Sequence, residues 1–441
     1  MSKIITLRKG LDINLVGKPQ ESLADAPQAS EYALSPLDFE GVTPKLLVKE
    51  GDRVKAGTPL FFNKYNERVL FTSPVSGTVA AVNRGEKRKV LSVTVTPDAS
   101  QEYEEFEKTD LGSTSREQIV SLLLRSGLWP MIVQRPYGII ADPSDTPKAV
   151  FISAFDSAPL APDYNYVLRA EQKNLQTGID VMRKLTSGKV HLSVRAKAEG
   201  QMTALKGAET HAFAGKHPVG NVGVQIHHID PVNKGEVVWT VNIQDLAIIG
   251  RLFNEGRVDM TKIIAVAGSE IEKPQYCRII AGAKVDSILK GNVKPQKEGD
   301  HVRIISGNVL TGAKTAADGF IGFYANQLTV IPEVRAAGLG DAPFQQILRI
   351  ARLLLVALPQ EGVQSRYQHE RRRASVRGDG PLRAVSADGH LPDVPAQGVS
   401  RRRHRQDGKP RHLRSGRRGF RALRVRRSLE DRDSADHPRR Y

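Results

Sequence analysis

The residue alphabet of this 441-residue chain changes near position 343, and that break limits which stretches can build a core. Residues 1–341 carry 41 Lys and Arg against 38 Asp and Glu, whereas residues 342–441 carry 24 against 10. Nearly all of the net charge of +17 therefore sits in the last hundred residues, where Lys409 is the only lysine. No isoleucine follows Ile350, and arginines come in runs such as 371–373 and 401–403. A segment with so much like charge and few large apolar residues after Leu358 does not offset its ordering entropy, so residues 336–441 are predicted to be a disordered, Arg-rich tail. One origin for it is a basic arm that neutralises phosphates. The other is translation in a shifted frame, because displaced GC-rich coding DNA is rich in arginine codons. Back-translating Arg366–Ser375 and dropping one base yields Asp-Thr-Asn-Met-Asn-Gly-Gly-Glu-Arg, ordinary protein text. The shifted frame is the preferred reading, and no nucleic-acid partner is expected.

The remaining part, about 340 residues, is too large for one core and implies two or three domains. No segment supplies the roughly 18 uninterrupted apolar residues of a membrane span, the stretch 347–358 being broken by Arg349 and Arg352. Met1–Val16 lacks an apolar core followed by small residues, so a secretory signal is not expected. Cys277 is the only cysteine. Disulfides, thiolate zinc sites and a cysteine-ligated iron–sulfur cluster within this chain are thereby excluded, and a cytoplasmic setting is expected.

In the first hundred residues, Val48–Leu60 (VKEGDRVKAGTPL) and Phe71–Val82 (FTSPVSGTVAAV) alternate short apolar runs with Gly and Pro turns, the pattern of a small sandwich. The spacing resembles that of biotinyl- and lipoyl-type barrel-sandwich domains. In such carriers the modified lysine lies on the hairpin between the two stretches, where Lys64 falls here. Asn63 replaces the usual acidic neighbour, so Lys64 is expected to carry no group.

From residue 101 to 258 strands and helices alternate: a helix over 117–124 with Ser115 as N-cap, a buried strand over 149–153, a helix over 172–185 and a strand over 190–194. This implies an α/β, Rossmann-like layer structure, without the G-x-G-x-x-G or P-loop signatures of a nucleotide site. His217, His227, His228 and Asp230 tempt a metal reading. Read as a strand, the run 226–231 points His227 and His228 to opposite faces, so no metal site is expected. A glycine-rich loop around Gly220 and Gly223, closing against a strand, suits a planar ligand instead. From 259 to 335, strands over 262–268, 278–281, 302–305 and 328–331 around a short helix at 285–289 suit a β-grasp module. Phe320, Phe323 and Tyr324 either offer an aromatic platform or pack its core. Ser306 and Thr311 lack His or Asp partners nearby in sequence, so no catalytic residues are assigned.

Lys9–Ile13 (KGLDI), Gly17–Gln20 (GKPQ), the barrel-sandwich pair and Asn83–Arg88 (NRGEKR), in that order, resemble the A subunit of the bacterial sodium-translocating NADH:quinone oxidoreductase. Ser126–Trp129, Gln134–Pro136, Ser153–Ala161, His217–Gly223, Ile226–Pro231, Ser306–Gly312 and Gly319–Gln327 continue the resemblance to about residue 343. The shifted-frame text beyond it is also similar to the family's continuation. The resemblance implies a peripheral subunit of a six-subunit membrane complex that oxidises NADH, reduces ubiquinone and exports sodium, attached to the cytoplasmic face of the bacterial inner membrane through its partner subunits. It implies that FAD, FMN and the 2Fe-2S centre belong to those subunits, with no cofactor bound by this chain. Its own share would be scaffolding and part of a ubiquinone site, for which Gly220, Gly223, Phe320, Phe323 and Tyr324 are the candidates. A stand-alone carrier or ligand-binding module built around Lys64 is the competing reading, and a nucleic-acid-binding protein built on the tail a third.

Overall fold

The structure is a computed structural model that describes residues 4–197, 200–296 and 301–333. The expectation for the tail at 336–441 lies outside the described residues.

The N-terminal strands β1 (Ile4–Thr6) and β2 (Gln20–Asp25) precede a small double sheet. One of its layers is formed by β3 (Tyr32–Leu34), β5 (Arg53–Val54), β8 (Gly77–Arg84) and β9 (Val90–Pro97). The other is formed by β4 (Pro44–Leu46), β6 (Pro59–Asn63) and β7 (Asn66–Thr72). Their inner faces bury Leu60, Phe61, Phe71, Val79 and Val93, so the expected barrel-sandwich architecture is present. Gly77 is required there, because a Cβ would lie 2.0 Å from the carbonyl oxygen of Thr96 on the neighbouring strand. β1 and β2 pair elsewhere. β1 joins β14 (Glu209–Ala214) of the central sheet and β2 joins β17 (Gln275–Ile280) of the third, so residues 4–25 strap the two together.

The central layer follows in the order α1 (Arg116–Arg125), β10 (Ile132–Arg135), β11 (Ile139–Ile140), β12 (Ala149–Ser153), α2 (Tyr164–Val167), α3 (Gln172–Leu185), β13 (Lys189–Arg195), β14 (Glu209–Ala214), α4 (Val222–Ile229), β15 (Val238–Asn242) and α5 (Ile243–Glu255). The α1 helix starts at the expected Ser115, whose hydroxyl accepts from Gln118 N while the Gln118 side chain accepts from the backbone N–H of Ser115, a reciprocal cap. The sheet order is β1-β14-β13-β12-β15-β10-β11, parallel from β1 to β15 with an antiparallel edge. On one face α3 and α5 cross almost backbone to backbone. A Cβ on Gly250 would stand 1.9 Å from Asn174 O, and one on Gly178 would stand 2.5 Å from Leu246 O, so only glycine permits this crossing. On the other face α4 lays Ile226 onto Phe151 and Val238, with Val222 and Ile229 beside it.

That last element corrects the strand expected over 226–231. Val222, Val224 and Ile226 alternate as a strand would, but Val222, Ile226 and Ile229 also share one helical face, and that face is the one buried.

The third layer contains β16 (Thr261–Ala267), β17 (Gln275–Ile280), α6 (Val285–Leu289), β18 (His301–Ser306), β19 (Ala313–Thr315) and β20 (Gln327–Glu333), in sheet order β19-β18-β20-β16-β17-β2. Strands and short helix fall where the apolar runs place them.

Candidate functional site

In an open parallel sheet, ligands collect at the carboxyl ends of the strands where neighbouring connections depart in opposite directions. Here β12 is that strand, flanked by β13 on one side and β15 on the other. A cavity of about 470 Å³ opens at this edge. The loop 154–162 after β12 forms its floor, the end of β13 with Arg195, Met202 and Thr203 one wall, and the N-terminal segment from Asp12 to Lys18 its cover. Leu160, in that floor, holds φ +60°, a left-handed backbone rare for a branched side chain. Asp156 fixes the loop by accepting from Ala158 N at 2.8 Å.

Ser157 and His217 link floor and cover. The Ser157 hydroxyl meets His217 Nδ1 at 3.0 Å and accepts from Gly220 N at 2.8 Å. The backbone N–H of His217 donates to Asp12 Oδ1 at 3.1 Å, and its carbonyl accepts from Leu11 N at 2.9 Å. A serine beside a histidine invites a nucleophilic reading. The Asp12 carboxylate, however, holds the backbone of His217 rather than its ring, so the orienting third member of a triad is not supplied by it. The pair acts as a clasp. Gly220 belongs to it sterically, since a Cβ there would lie 2.4 Å from Ser157 N, while Gly223 opens onto free space in the first turn of α4. Behind the cavity, Tyr164 is buried and its phenol is raised above the ordinary range by burial and by Asp156, and its hydroxyl meets Asn326 Nδ2 at 3.3 Å. The donors and acceptors of this cavity suit a polar or planar guest held by hydrogen bonds.

The aromatic candidates lie elsewhere, in the seam between the barrel and the third layer. Phe61 stacks on Phe71 with centroids 4.7 Å apart, Phe71 meets Phe39 at 4.6 Å, Phe39 meets Phe323 at 4.9 Å, and Tyr324 closes on Phe39 at 5.7 Å. Tyr324 Oη donates to Pro130 O at 2.5 Å, which ties the chain of rings to the central layer. Phe320 is half-buried beside a bridge to Lys284. Under these rings lies a buried ionic group. Lys262 Nζ donates to Phe323 O at 2.8 Å, and Asp38 Oδ2 accepts from Phe323 N at 2.8 Å. Burial pushes the Asp245 carboxyl up to about 6 against the pull of Lys262, and burial lowers Lys262 against the pull of Asp245 and Asp38.

Lys64 sits with Tyr65 at the tip of the β6–β7 hairpin, the place expected for it. His227 and His228 stand edge to face on α4, and His228 Nδ1 lies 2.8 Å from Val224 O. Asp230 is paired with Lys148 Nζ at 2.6 Å, and His217 is spent on Ser157, so the four residues do not gather around one point. Ser306 Oγ accepts from Gly322 N at 2.9 Å and Thr311 Oγ1 meets Asn308 Oδ1 at 3.3 Å; both are turn fixtures. Cys277 is buried and its thiol is pushed up to about 11 by burial. Sequence reasoning missed the Asp12–His217–Ser157–Gly220 clasp. Its hydrogen-bonded partners lie up to 205 positions apart, and no local spacing announces it.

A barrel-sandwich, a parallel α/β layer and a β-grasp layer, with an open cavity at the switch strand, define a multidomain α/β protein, and no helix among the described residues is long and apolar enough to cross a membrane. The family models follow in the same order: the NqrA N-terminal barrel-sandwich hybrid domain matches residues 5–98, the NqrA second alpha/beta domain 114–258, and the NQRA C-terminal domain 263–317. The chain belongs to the NqrA family, the A subunits of the Na(+)-translocating NADH-quinone reductases. It is 38% identical over 339 residues to the A subunit from Neisseria meningitidis serogroup B, covering 76% of this chain and 75% of the relative. It is 38% identical over 335 residues to the one from Yersinia pseudotuberculosis serotype O:1b, covering 75% and 74%. It is 35% identical over 348 residues to the one from Saccharophagus degradans, covering 78% and 76%.

Proposed function

We propose that this chain serves as the peripheral scaffold of a Na+-translocating NADH:quinone reductase. It docks on the partner subunits at the cytoplasmic face of the membrane, and NADH, FAD, FMN and the 2Fe-2S centre are handled by those partners. The observation that carries this reading is the run of three family domains in the family order over most of the described chain. The strapped N-terminus supports it physically, because β1 and β2 join two different layers and so hold a rigid docking body. The domain bounds proposed are 1–100, 101–258 and 259–335. A share in ubiquinone binding fits best beside Gly220, the one of the five candidates that adjoins the cavity floor. The test is complementation. In a strain whose own copy of this component is deleted, the chain, with the reading frame restored beyond residue 343, should restore NADH:quinone activity and co-purify with the other subunits, while the purified chain alone should show none. NADH oxidation by the lone chain would overturn the scaffold assignment.

A further inference from the structure

The outer face of the central sheet carries a side-chain cluster that the proposed scaffold role does not use. His191 on β13 is paired in register with Glu209 on β14, and His211 follows Glu209 by two positions, so all three project from the same face. One ligand atom from each lies within 4.8 Å of the others. His191 Nδ1 stands 3.0 Å from His211 Nε2 and 3.7 Å from Glu209 Oε2. Two nitrogens on one tetrahedral ion, with bonds of roughly 2.0–2.1 Å, are separated by about 3.3 Å, so the cluster needs only small adjustments to close on a cation.

We infer that His191, His211 and Glu209 form a binding site for a divalent transition-metal ion of the zinc class, with its remaining coordination positions open to water. Two nitrogens and one carboxylate oxygen are the ligand set that borderline cations favour over calcium or magnesium. The set is pre-arranged. His191 is buried and stacked on Phe151, with ring centroids 4.8 Å apart, and Lys189 Nζ holds the other oxygen of Glu209 at 2.5 Å, leaving Oε2 turned toward the histidine. Burial lowers both imidazoles from their ordinary value, which favours the neutral form that ligates. Without an ion, one nitrogen of the 3.0 Å pair carries the proton between them. Binding moves that proton to the far nitrogen of the same ring, so both lone pairs face the ion and no net proton need leave. Glu209 is exposed and His211 half-buried, which gives an ion a path from solvent.

The test uses the full-length chain stripped of metal and titrated with Zn2+ by calorimetry, then with Co2+ by visible absorption. One tight equivalent per chain is expected, with the intense visible bands of a low-coordinate Co2+ site and a melting temperature that rises with Zn2+. Glu209→Gln and His211→Ala should each weaken that equivalent by roughly tenfold or more while leaving the far-ultraviolet circular dichroism unchanged. The exposed Glu209 makes the first variant safe for folding. Because His227 and His228 on α4 are an obvious adventitious site, His227→Ala/His228→Ala should retain the tight equivalent. If the tight equivalent disappears in that double variant, or persists at full affinity in both Glu209→Gln and His211→Ala, or is absent from the wild-type chain, the site does not exist.

Discussion

The seam under Phe323 and the carboxyl edge of β12 are both places where distant parts of this chain meet, yet they are built in opposite ways. The seam is closed: five aromatic rings run through it, and beneath them Lys262 and Asp245 are buried and Asp38 half-buried, with both carboxylates in the field of Lys262. The edge is open: a cavity of about 470 Å³, a strained Leu160 and a clasp made from small residues and loops. Large rings carry the packing energy, and loops carry the recognition. A reader of sequence is drawn to the aromatic cluster as a ligand platform; in the structure those rings pack on one another, and the ligand site proposed above lies at the open edge instead.

The largest effect that separates the two regions is expected from Lys262→Ala. It removes the buried cation whose field reaches Asp245 and Asp38, together with the donor to Phe323 O, and leaving those buried groups uncompensated costs about 3–5 kcal/mol. Chemical denaturation measures it. A loss under about 1 kcal/mol would mean that water reaches the seam. Phe323→Ala follows at about 3 kcal/mol, since the ring is 7% exposed and packs on Phe39 and Tyr324. Binding of a quinone analogue to the cavity should be unmoved by it. A tenfold weaker binding would return the aromatic cluster to candidacy as the ligand site.

Much of this architecture is legible without coordinates because it rests on local rules. The helix over 172–185 and the strand over 149–153 lie where the periodicity places them, since each buries the face its pattern predicts. The Ser115 cap is equally local. What stays hidden is non-local or degenerate. Residues 222–229 satisfy both period 2 and period 3.6, and only the partner face, Phe151 and Val238, decides for the helix. The strapping of β1 and β2 into two different sheets, the clasp from Asp12 to Gly220 and the His191–Glu209–His211 group all depend on strand order, which no spacing encodes.

A pH titration sharpens the comparison at the next level of magnitude. The folded Asp245 carboxyl is pushed up to about 6 from an ordinary value of 3.8, so between those limits the folded state binds more protons than the unfolded one. Its contribution to stability is therefore greatest below pH 4 and falls as pH rises toward 6, by about 3 kcal/mol. Glu333 acts with the opposite sign, because Arg303 and then Lys314 hold it down to about 2, and its contribution is present above its ordinary value of 4.5 and is lost progressively as pH falls from there toward 2. The quantity to measure is thus the difference between wild type and Asp245→Asn across pH 4–7. That difference should move in favour of the variant up to about pH 6 and stay flat above. A flat profile throughout would show that the seam is hydrated, like the edge.

The smallest effects test the edge itself, through two glycines that look alike in sequence. At Gly220 a Cβ would meet Ser157 N at 2.4 Å and the Ser157 hydroxyl at 2.9 Å, both held by the clasp, so Gly220→Ala should force the loop off the floor. The expected cost is about 1–2 kcal/mol, within the range for overpacking, together with weaker ligand binding at the cavity. At Gly223 nothing stands within 4 Å of the added methyl, and the backbone is already helical. There, alanine lowers the conformational freedom of the unfolded chain and favours the helix, so Gly223→Ala should stabilise by about 0.5–1 kcal/mol and leave binding unchanged. Thermal melts of the two variants beside the parent decide it. Equal shifts of the same sign would mean that the Ser157–Gly220 contact is loose in solution and that the cavity floor is not held by it.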